Sequence, residues 1–476
     1  MGYENLNTTE KKLTTGVKWS YAIGQVGDSM LYNLFFVYYL YYLTDVAGIA
    51  PFIAGIINML AISWNAIANP IIGKLSDTCR SKHGRRRPFM LVAIPMMAVA
   101  LILLFTPMGF EGGVKNVYFI LVSMLFWTAY VTYVIPYVAL GGEITQDYNE
   151  RNRLRGYNQI VGYTVLGICC ATPPMIQSAL GARGYTVQEA WAITAVIFAA
   201  IVVLFCLICW RATKGFELPY EAEENEVKQE SLFKIFKETL KIKCYRQLIA
   251  MVALYVIGFN VINTSLVYLL TYNAGFDGAQ QSMFWIVYCA IIVVSQPMLI
   301  KCSALLGKKK MLLTTTTIAI VVFLLFYFVI GVSGMVTLYI YAAVLGITSS
   351  SFWLLYISLV YDISEVDEFI NGKRREGSLV AIVLFVQKIG AAFSMWLTGI
   401  LLTAIGYVAA AVQSAETVNG ILMLCTVIPA AFYVVSMLIF SKYPVTQEKF
   451  TALRKAIQLK KDGKEYTTDE FEDLLK

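Results

Sequence analysis

The chain has 476 residues, of which 58% are hydrophobic and 14% are charged, and its mean hydropathy is +0.64. A water-soluble domain has about 25% charged residues. The composition therefore argues against a soluble enzyme or a nucleic-acid-binding protein, despite the net charge of +7. It is typical of a chain that spends most of its length in a lipid bilayer.

Twelve apolar runs follow one another along the chain, and most reach the ~20 residues that one transmembrane helix needs. Transmembrane β-strands would instead be ~10 residues long and alternate in polarity. The sequence therefore predicts an all-α membrane protein with twelve transmembrane helices. In chain order the predicted spans are 17–43, 52–75, 89–106, 117–140, 156–176, 190–210, 247–271, 281–300, 311–330, 336–360, 377–404 and 419–440.

The basic residues give the orientation of these spans. If the N-terminus lies inside, the predicted cytoplasmic segments hold 35 of the 38 Lys and Arg residues, and the outer loops hold only Lys115 and Arg183. Cytoplasmic loops of membrane proteins carry this excess of positive charge. Both termini are therefore predicted to be cytoplasmic. The net charge then reports topology, and no nucleic-acid partner is expected.

A polar segment divides the spans into two groups of six. Basic loops recur in both halves, with Gly84 and Gly307 lying 223 residues apart and Gly156 and Gly377 lying 221 apart. This shared spacing predicts parallel six-helix repeats, the design of a transporter whose two bundles rock about a central site. The predicted organisation is a cytoplasmic segment (1–16), a first bundle (17–210), a linker with an amphipathic helix (211–246), a second bundle (247–440) and a cytoplasmic tail (441–476).

Motifs for other chemistry are absent from the sequence. It contains no Walker loop, no H-E-x-x-H and no plausible G-x-S-x-G elbow, so ATP-driven transport and familiar hydrolysis lose support. Asp362, Glu365, Asp367 and Glu368 form an acidic group, but they lack the spacing of a calcium-binding loop. We therefore expect neither an enzyme nor a bound metal or cofactor.

Five stretches carry a more specific signal: YYLTDVAG (41–48), WNAIANPIIGKLSD (64–77), SKHGRRRPF (81–89), IPYVALGGEITQDYNERNRL (135–154) and DISEVDEFINGKRREG (362–377). In both halves, and in the same order, they resemble the glycoside–pentoside–hexuronide:cation symporters, the melibiose-carrier family of the major facilitator superfamily. The resemblance implies a multi-pass carrier of the inner (plasma) membrane. It would take up a sugar or glycoside by alternating access and function as a monomer in the bilayer.

Charged side chains inside a membrane are costly and mark functional sites. At 1.5 Å per helical residue, Asp28 and Lys388 each lie ~16 Å into their spans, and Asn65 lies ~15 Å deep. Lys388 could instead form a permanent ion pair, and Asp28 could either bind substrate or neutralise Lys388. With the resemblance added, the predicted substrate-binding residues are Asp28, Ser29, Tyr32, Tyr130, Val134, Gln159, Trp353 and Lys388.

The cation site that the resemblance implies is degenerate here. The family frame D-x-x-N-D-P reads N-A-I-A-N-P, which gives Asn65, Ala68 and Asn69, and a Thr that helps to bind the ion aligns with Val131. Sodium prefers charged oxygen ligands, so weak or absent sodium coupling is expected. Proton coupling through Asp28, or facilitated diffusion, is favoured.

Two alternatives to a sugar carrier stay open. Valines stand at pocket positions where the family has polar or aromatic residues, as at Val134 and Val138, which would suit an amphipathic or other non-sugar solute. A membrane sensor that binds its ligand without transporting it is the other alternative. Charged residues at the cytoplasmic helix ends are expected to form gating networks, in which Asp77 pairs with Arg80 and Arg85–Arg87, and Asp362 pairs with Arg374 and Arg375. The full set is Asp77, Arg80, Arg85, Arg86, Arg87, Glu143, Arg151, Asp362, Arg374 and Arg375.

Overall fold

The structure, a computed structural model, describes residues 13–79, 81, 84–145, 148–216, 232–331, 334–372, 375–461 and 465–475. Throughout this part of the chain the regular secondary structure is helical. Eleven helices are long and apolar enough to cross a membrane. The expected all-α membrane architecture is confirmed at this level.

The first half of the chain contains two short and five long helices. They are α1 (Thr15–Ala22), α2 (Gln25–Leu34), α3 (Pro51–Thr78), α4 (Arg87–Leu104), α5 (Gly112–Ile144), α6 (Tyr148–Gly181) and α7 (Val187–Ala212).

The second half begins with a short helix in the predicted linker. Its helices are α8 (Leu232–Thr239), α9 (Lys243–Tyr268), α10 (Gly278–Leu306), α11 (Lys308–Leu325), α12 (Met335–Asn371), α13 (Glu376–Ala404), α14 (Ala415–Cys425), α15 (Val427–Ser441), α16 (Gln447–Lys461) and α17 (Glu472–Leu475). Helices α14 and α15 together make up one candidate span, and α9 and α11 each continue into a π-helical turn.

The predicted first span, 17–43, differs from the others because it is not one uninterrupted α-helix. It consists of α1, α2 and the π-helical turn Phe35–Tyr39, and a second π-helical turn, Tyr42–Val46, follows. Each piece is shorter than a bilayer-spanning helix, so this segment is not among the eleven. π-Helical turns inside helices are frequent at functional sites.

Two compact units emerge from the packing, and the first comprises the described residues of Met1–Phe35 and Trp64–Glu223. In it α1 and α2 pack on α6 and α7, and α4 packs on α5 and α7. Helices α2 and α7 lie so close that a Cβ on Gly27 would be 2.6 Å from the Sγ of Cys206. The buried Cys206 and Cys209 therefore belong to a helix–helix contact.

The second unit comprises Phe36–Ser63 and the described residues of Glu224–Lys476. Its centre is α9, which packs on α12, α13 and α15. The ring of Tyr255 is stacked between Phe352, at 3.8 Å between centroids, and Tyr433, at 4.5 Å. The Tyr255 hydroxyl donates to the Thr348 carbonyl at 3.2 Å, so this buried polar group is satisfied.

The C-terminal tail adds two helices that the sequence did not predict. Helices α16 and α17 pack on α12, with Leu453 and Leu474 fully buried. The Phe369 ring lies edge-on to Tyr466 and Phe471 at 5.7 and 5.5 Å. This apolar contact fixes the tail against one end of α12.

Candidate functional site

Helix α2 has one buried face and one polar face. Val26, Gly27, Met30, Leu31 and Leu34 are buried. The polar side chains recur at helical spacing on the other face and are only half-buried; they are Gln25, Asp28, Ser29, Tyr32 and Asn33. Since residues three and four apart share a helix face, α2 presents a continuous polar stripe from the first unit.

The Asp28 carboxylate is the centre of this stripe. The Tyr130 hydroxyl on α5 donates to Asp28 Oδ1 at 2.5 Å, and Gln25 Nε2 donates to Asp28 Oδ2 at 2.6 Å. Gln25 also donates to Ser29 Oγ at 3.3 Å. These donors fix the direction of the carboxylate. The structure thus brings together the predicted Asp28, Ser29 and Tyr130 and adds Gln25.

Trp127 packs against the tyrosine rings of the site. It is fully buried, and the rings of Tyr130 and Tyr32 lie edge-on to it at 5.0 and 6.3 Å. Val134, one turn after Tyr130, is half-buried, whereas Val131 is fully buried. Val134 therefore lies on the same face of α5 as Tyr130 and is more exposed than Tyr130, whereas Val131 is enclosed.

Helix α6 passes the polar stripe near Gly162. A Cβ on Gly162 would lie 3.5 Å from Ser29 Oγ and 3.6 Å from Gln25 Cγ. The predicted Gln159, one turn earlier on α6, is exposed. The structure therefore places Gln159 at the rim of the stripe rather than against Asp28.

Trp353 and Lys388 belong to the second unit, on α12 and α13, and both are half-buried there. The Trp353 ring packs edge-on to Phe259 at 5.7 Å and to Tyr356 at 5.4 Å. Trp353 is thus held in place by other aromatic rings within its unit.

The two asparagines of the degenerate cation frame contact each other. Asn69 Nδ2 donates to Asn65 Oδ1 at 2.8 Å and to the Asn65 carbonyl at 2.7 Å. Asn65 and Ala68 are buried. The Asn65 amide oxygen, which a cation would need, already accepts a hydrogen bond. Across the described ranges, no group of three or more His, Cys, Asp and Glu residues is placed to hold a metal ion.

A charge network ties α3, α4 and α5 together in the first unit. Glu143 Oε1 accepts from Arg85 Nη2 at 2.7 Å and from Arg86 Nε at 3.0 Å, and Arg86 also pairs with Asp77 at 2.6 Å. Arg87 points elsewhere: its guanidinium donates to the Trp210 carbonyl at 2.9 Å and lies over the Trp210 ring. Of the three predicted arginines, Arg85 and Arg86 therefore bind Glu143, whereas Arg87 binds Trp210.

Lys18 and Glu150 form a further ion pair in the first unit, with Nζ and Oε2 2.6 Å apart. This pair joins α1 to α6. The hydrogen bond from Lys18 is the largest influence that lowers the pKa of Glu150 below its ordinary value.

The second unit contains two separate networks instead of the expected pairing of Asp362 with Arg375. Asp362 binds Lys308 through both carboxylate oxygens at 2.7 Å. Arg375 binds the fully buried Asp367 at 2.9 and 3.0 Å and reaches Glu238 on α8 at 2.7 Å. That prediction was wrong because Asp362 lies five residues, or ~7.5 Å, farther from the end of α12 than Asp367 and on another face.

Hydrogen bonding to Asp367 is the main cause that raises the pKa of Arg375 above its already high ordinary value. The guanidinium is therefore charged at every physiological pH. Three other residues of the predicted networks, Arg80, Arg374 and the side chain of Arg151, lie outside the described residues.

Sequence reasoning missed Gln25, Trp127 and Lys308. Gln25 had a signal, because it stands three residues before Asp28, where Gln and Asp side chains meet on a helix. Trp127 stands three residues before Tyr130, but 14% of the chain is aromatic, so position alone did not single it out. Lys308 had no local signal, since its partner is 54 residues away.

Comparisons with known proteins agree with this architecture. A family model described as "MFS/sugar transport protein" matches residues 20–447. The chain is 28% identical to a symporter of Bacillus subtilis, over 93% of this chain and 95% of the relative. It is 27% identical to a glucuronide carrier protein homolog of Escherichia coli, over 90% and 92%. The crystal structure of a nucleoside transporter superposes with a TM-score of 0.64 at 13% identity, over 90% and 99%.

Proposed function

The chain belongs to the MFS/sugar transport protein family, so it is a secondary-active sugar transporter rather than an enzyme, and we propose that it takes up a sugar or glycoside by alternating access. The glucuronide carrier homolog among its relatives supports a glycoside or an acidic sugar as the substrate. Within that class, we propose a site that includes the predicted substrate-binding residues and Gln25.

The observation that carries this proposal is the held carboxylate of Asp28. Sugar hydroxyls are hydrogen-bond donors, and an ionised carboxylate offers about four acceptor positions. Asp28 can therefore hold Tyr130 and Gln25 and accept sugar hydroxyls as well. The nearby ring of Tyr32 adds a flat apolar surface for the C–H groups of a sugar.

The asparagine pair supports a proposal about the coupling ion. A sodium ion at the degenerate cation frame would have to share Asn65 Oδ1 with the Asn69 amide and would gain no negative charge in return. We therefore propose that sodium drives uptake weakly or not at all. Asp28 is the candidate proton acceptor if transport is proton-coupled, and facilitated diffusion is the alternative.

The proposed topology has twelve spans in the inner (plasma) membrane, with both termini cytoplasmic. The segment 17–43 supplies the additional span, since α1, α2 and the π-helical turn Phe35–Tyr39 run almost without a break. The asymmetry of the basic residues supports the orientation. We propose two bundles, 17–210 and 247–440, that function as a monomer.

We propose that the charge networks at the cytoplasmic helix ends brace one access state and break in the other. They are Arg85 and Arg86 with Glu143 and Asp77 in the first unit, and Lys308 with Asp362 in the second. Arg375 has a more permanent role, because its partner Asp367 is fully buried.

The test is a binding and counterflow screen with purified protein. Monosaccharides, disaccharides, glycosides and uronates are screened for a rise in the thermal unfolding midpoint, and the compounds that bind are then tested for counterflow in proteoliposomes. At least one carbohydrate is expected to pass both steps. Asp28→Asn should weaken its binding about 10- to 150-fold, because hydrogen bonds to a charged group contribute about 1.5–3 kcal/mol.

The matched control is Glu111→Gln, which neutralises an exposed acid and should leave binding unchanged. Counterflow of amphipathic solutes without any carbohydrate would contradict the sugar assignment. Carbohydrate binding without counterflow would contradict transport and indicate a sensor.

A further inference from the structure

Three helix ends of the second unit meet on one side, which is cytoplasmic in the proposed topology. Gln247 Nε2 on α9 donates to the carbonyl of Lys442, the residue that follows α15, at 3.3 Å. Lys309 Nζ on α11 donates to the next carbonyl, that of Tyr443, at 2.6 Å. Helices α11 and α15 also pack on each other. The first turn of α11 is therefore fixed beside the end of α15.

Positive charge accumulates where α11 and α15 meet. Lys310 follows Lys309 and Lys442 precedes Tyr443, and both lysine side chains are exposed. Lys449 on α16 lies close enough to Lys309 for their like charges to interact. Within the described ranges, none of Lys309, Lys310 and Lys442 forms an ion pair with an acid. Like charges held together in this way are stabilised by a bound anion.

The acids of the neighbouring helices leave this charge uncompensated. Asp362 on α12 binds Lys308, and Glu365 binds Arg454. Glu448 at the start of α16 is exposed and forms no ion pair in the part of the chain that the structure describes. The N-terminal end of a helix also carries a partial positive charge, so the lysines in the first turn of α11 add to it. This end of α11 therefore favours an anion.

The two exposed lysines each stand at the end of an exposed helix face. Leu438 and Val435 lie four and seven residues before Lys442 on α15, and they are 56% and 47% exposed. Val321, three helical turns after Lys310 on α11, is 51% exposed. Residues at these spacings share a helix face. Each lysine is thus continuous with an apolar face that an acyl chain can cover.

We propose that this surface, formed by Lys310, Lys442, Val321, Val435 and Leu438, binds one anionic phospholipid of the cytoplasmic leaflet. The phosphate lies between the two lysines, and the acyl chains follow the exposed faces of α11 and α15. Basic pockets between transmembrane helices on the cytoplasmic side bind acidic lipid headgroups. The inference uses the proposed topology only for the side of the membrane and does not depend on the transported solute.

The test is native mass spectrometry of the purified full chain in detergent, titrated with dioleoyl phosphatidylglycerol or dioleoyl phosphatidylcholine. The two lipids have the same acyl chains and differ in headgroup charge. The variant is Lys310→Gln with Lys442→Gln. The matched control, Lys214→Gln with Lys455→Gln, removes two other exposed lysines and changes the net charge equally. A third titration adds inorganic phosphate to the complex with phosphatidylglycerol.

The first phosphatidylglycerol is expected to bind wild type more tightly than the first phosphatidylcholine. Its affinity should fall about 30-fold in the variant without Lys310 and Lys442, because each lysine near an acidic headgroup contributes roughly equally to binding. The control variant should bind phosphatidylglycerol as wild type does. Phosphatidylcholine should bind all three proteins equally, and millimolar inorganic phosphate should not displace the lipid.

Equal affinity of wild type for the two lipids would overturn the proposal, as would equal affinity of the two variants for phosphatidylglycerol. Displacement of the lipid by inorganic phosphate would also overturn it, since the surface would then bind a soluble anion. If the double variant does not fold, Lys442→Gln alone decides, and unchanged binding in that variant overturns the proposal. Lipid binding needs no sugar, so a failed sugar screen leaves this result intact.

Discussion

The pair of Arg375 and Asp367 allows a prediction whose size follows from burial. The Asp367 side chain is fully buried, that of Arg375 is 8% exposed, and the two share bonds of 2.9 and 3.0 Å. Arg375→Gln would leave the Asp367 charge buried without its guanidinium. Breaking a buried pair in this way costs about 3–5 kcal/mol of the free energy of unfolding.

Two further variants show how much of the loss in Arg375→Gln comes from the unpaired charge of Asp367. Glu238, the second partner of Arg375, is 37% exposed, so Glu238→Gln should cost no more than about 1 kcal/mol. The double variant Arg375→Gln with Asp367→Asn removes both charges and should recover part of the loss.

The assay is thermal unfolding in detergent, followed with a dye that fluoresces when it reacts with thiols. Seven cysteines are buried and would react as the protein unfolds. The expected order of midpoints places Arg375→Gln lowest, the double variant higher, and Glu238→Gln close to wild type. Equal shifts for Arg375→Gln and Glu238→Gln would refute the assignment of the stability to Asp367.

Three further predictions follow from other contacts. Gly399→Ala should lower the thermal unfolding midpoint, because the added Cβ would lie 2.5 Å from the backbone oxygen of Pro51 on α3. Overpacking of this kind costs about 1–3 kcal/mol of the free energy of unfolding. An unchanged midpoint would refute the close contact. The Lys18–Glu150 pair stabilises the fold at pH values above the ordinary pKa of Glu150, and this stabilisation is lost as the pH falls through the lowered pKa of Glu150. In acid unfolding scans, the stability of the wild type should therefore fall more steeply than that of Glu150→Gln. Parallel curves would contradict this. A cysteine at Gly112 should label from outside sealed right-side-out vesicles while native Cys79 does not, and labelling of Cys79 would contradict the topology.

The membrane architecture could be predicted from the sequence because it depends on local composition. Apolar runs and basic loops are counted residue by residue, and eleven of the predicted spans coincide with helices that can cross a membrane. The broken first span could not be predicted in this way. The π-helical turn Tyr42–Val46 lies where Thr44 and Asp45 bond to Tyr268 and Tyr272, which are more than 200 residues away in sequence.

The candidate site shows the same division between local and distant information. Asp28 stood out because a charge in an apolar run is costly, and Gln25 could have been found from helical spacing. The partner of Arg375 could not, because Asp362 and Asp367 are both acids near the end of α12. Which of the two meets Arg375 depends on how side chains point at that helix end.

The most direct test of the account is uptake of a carbohydrate into proteoliposomes under an imposed proton gradient, an imposed sodium gradient, or neither. We predict that the sugar enters in all three cases and that the sodium gradient gives no more accumulation than the condition without a gradient, because Asn65 and Asn69 bond to each other and provide no charge for the ion. Sodium-driven accumulation above equilibrium, or no entry of any carbohydrate, would contradict the account.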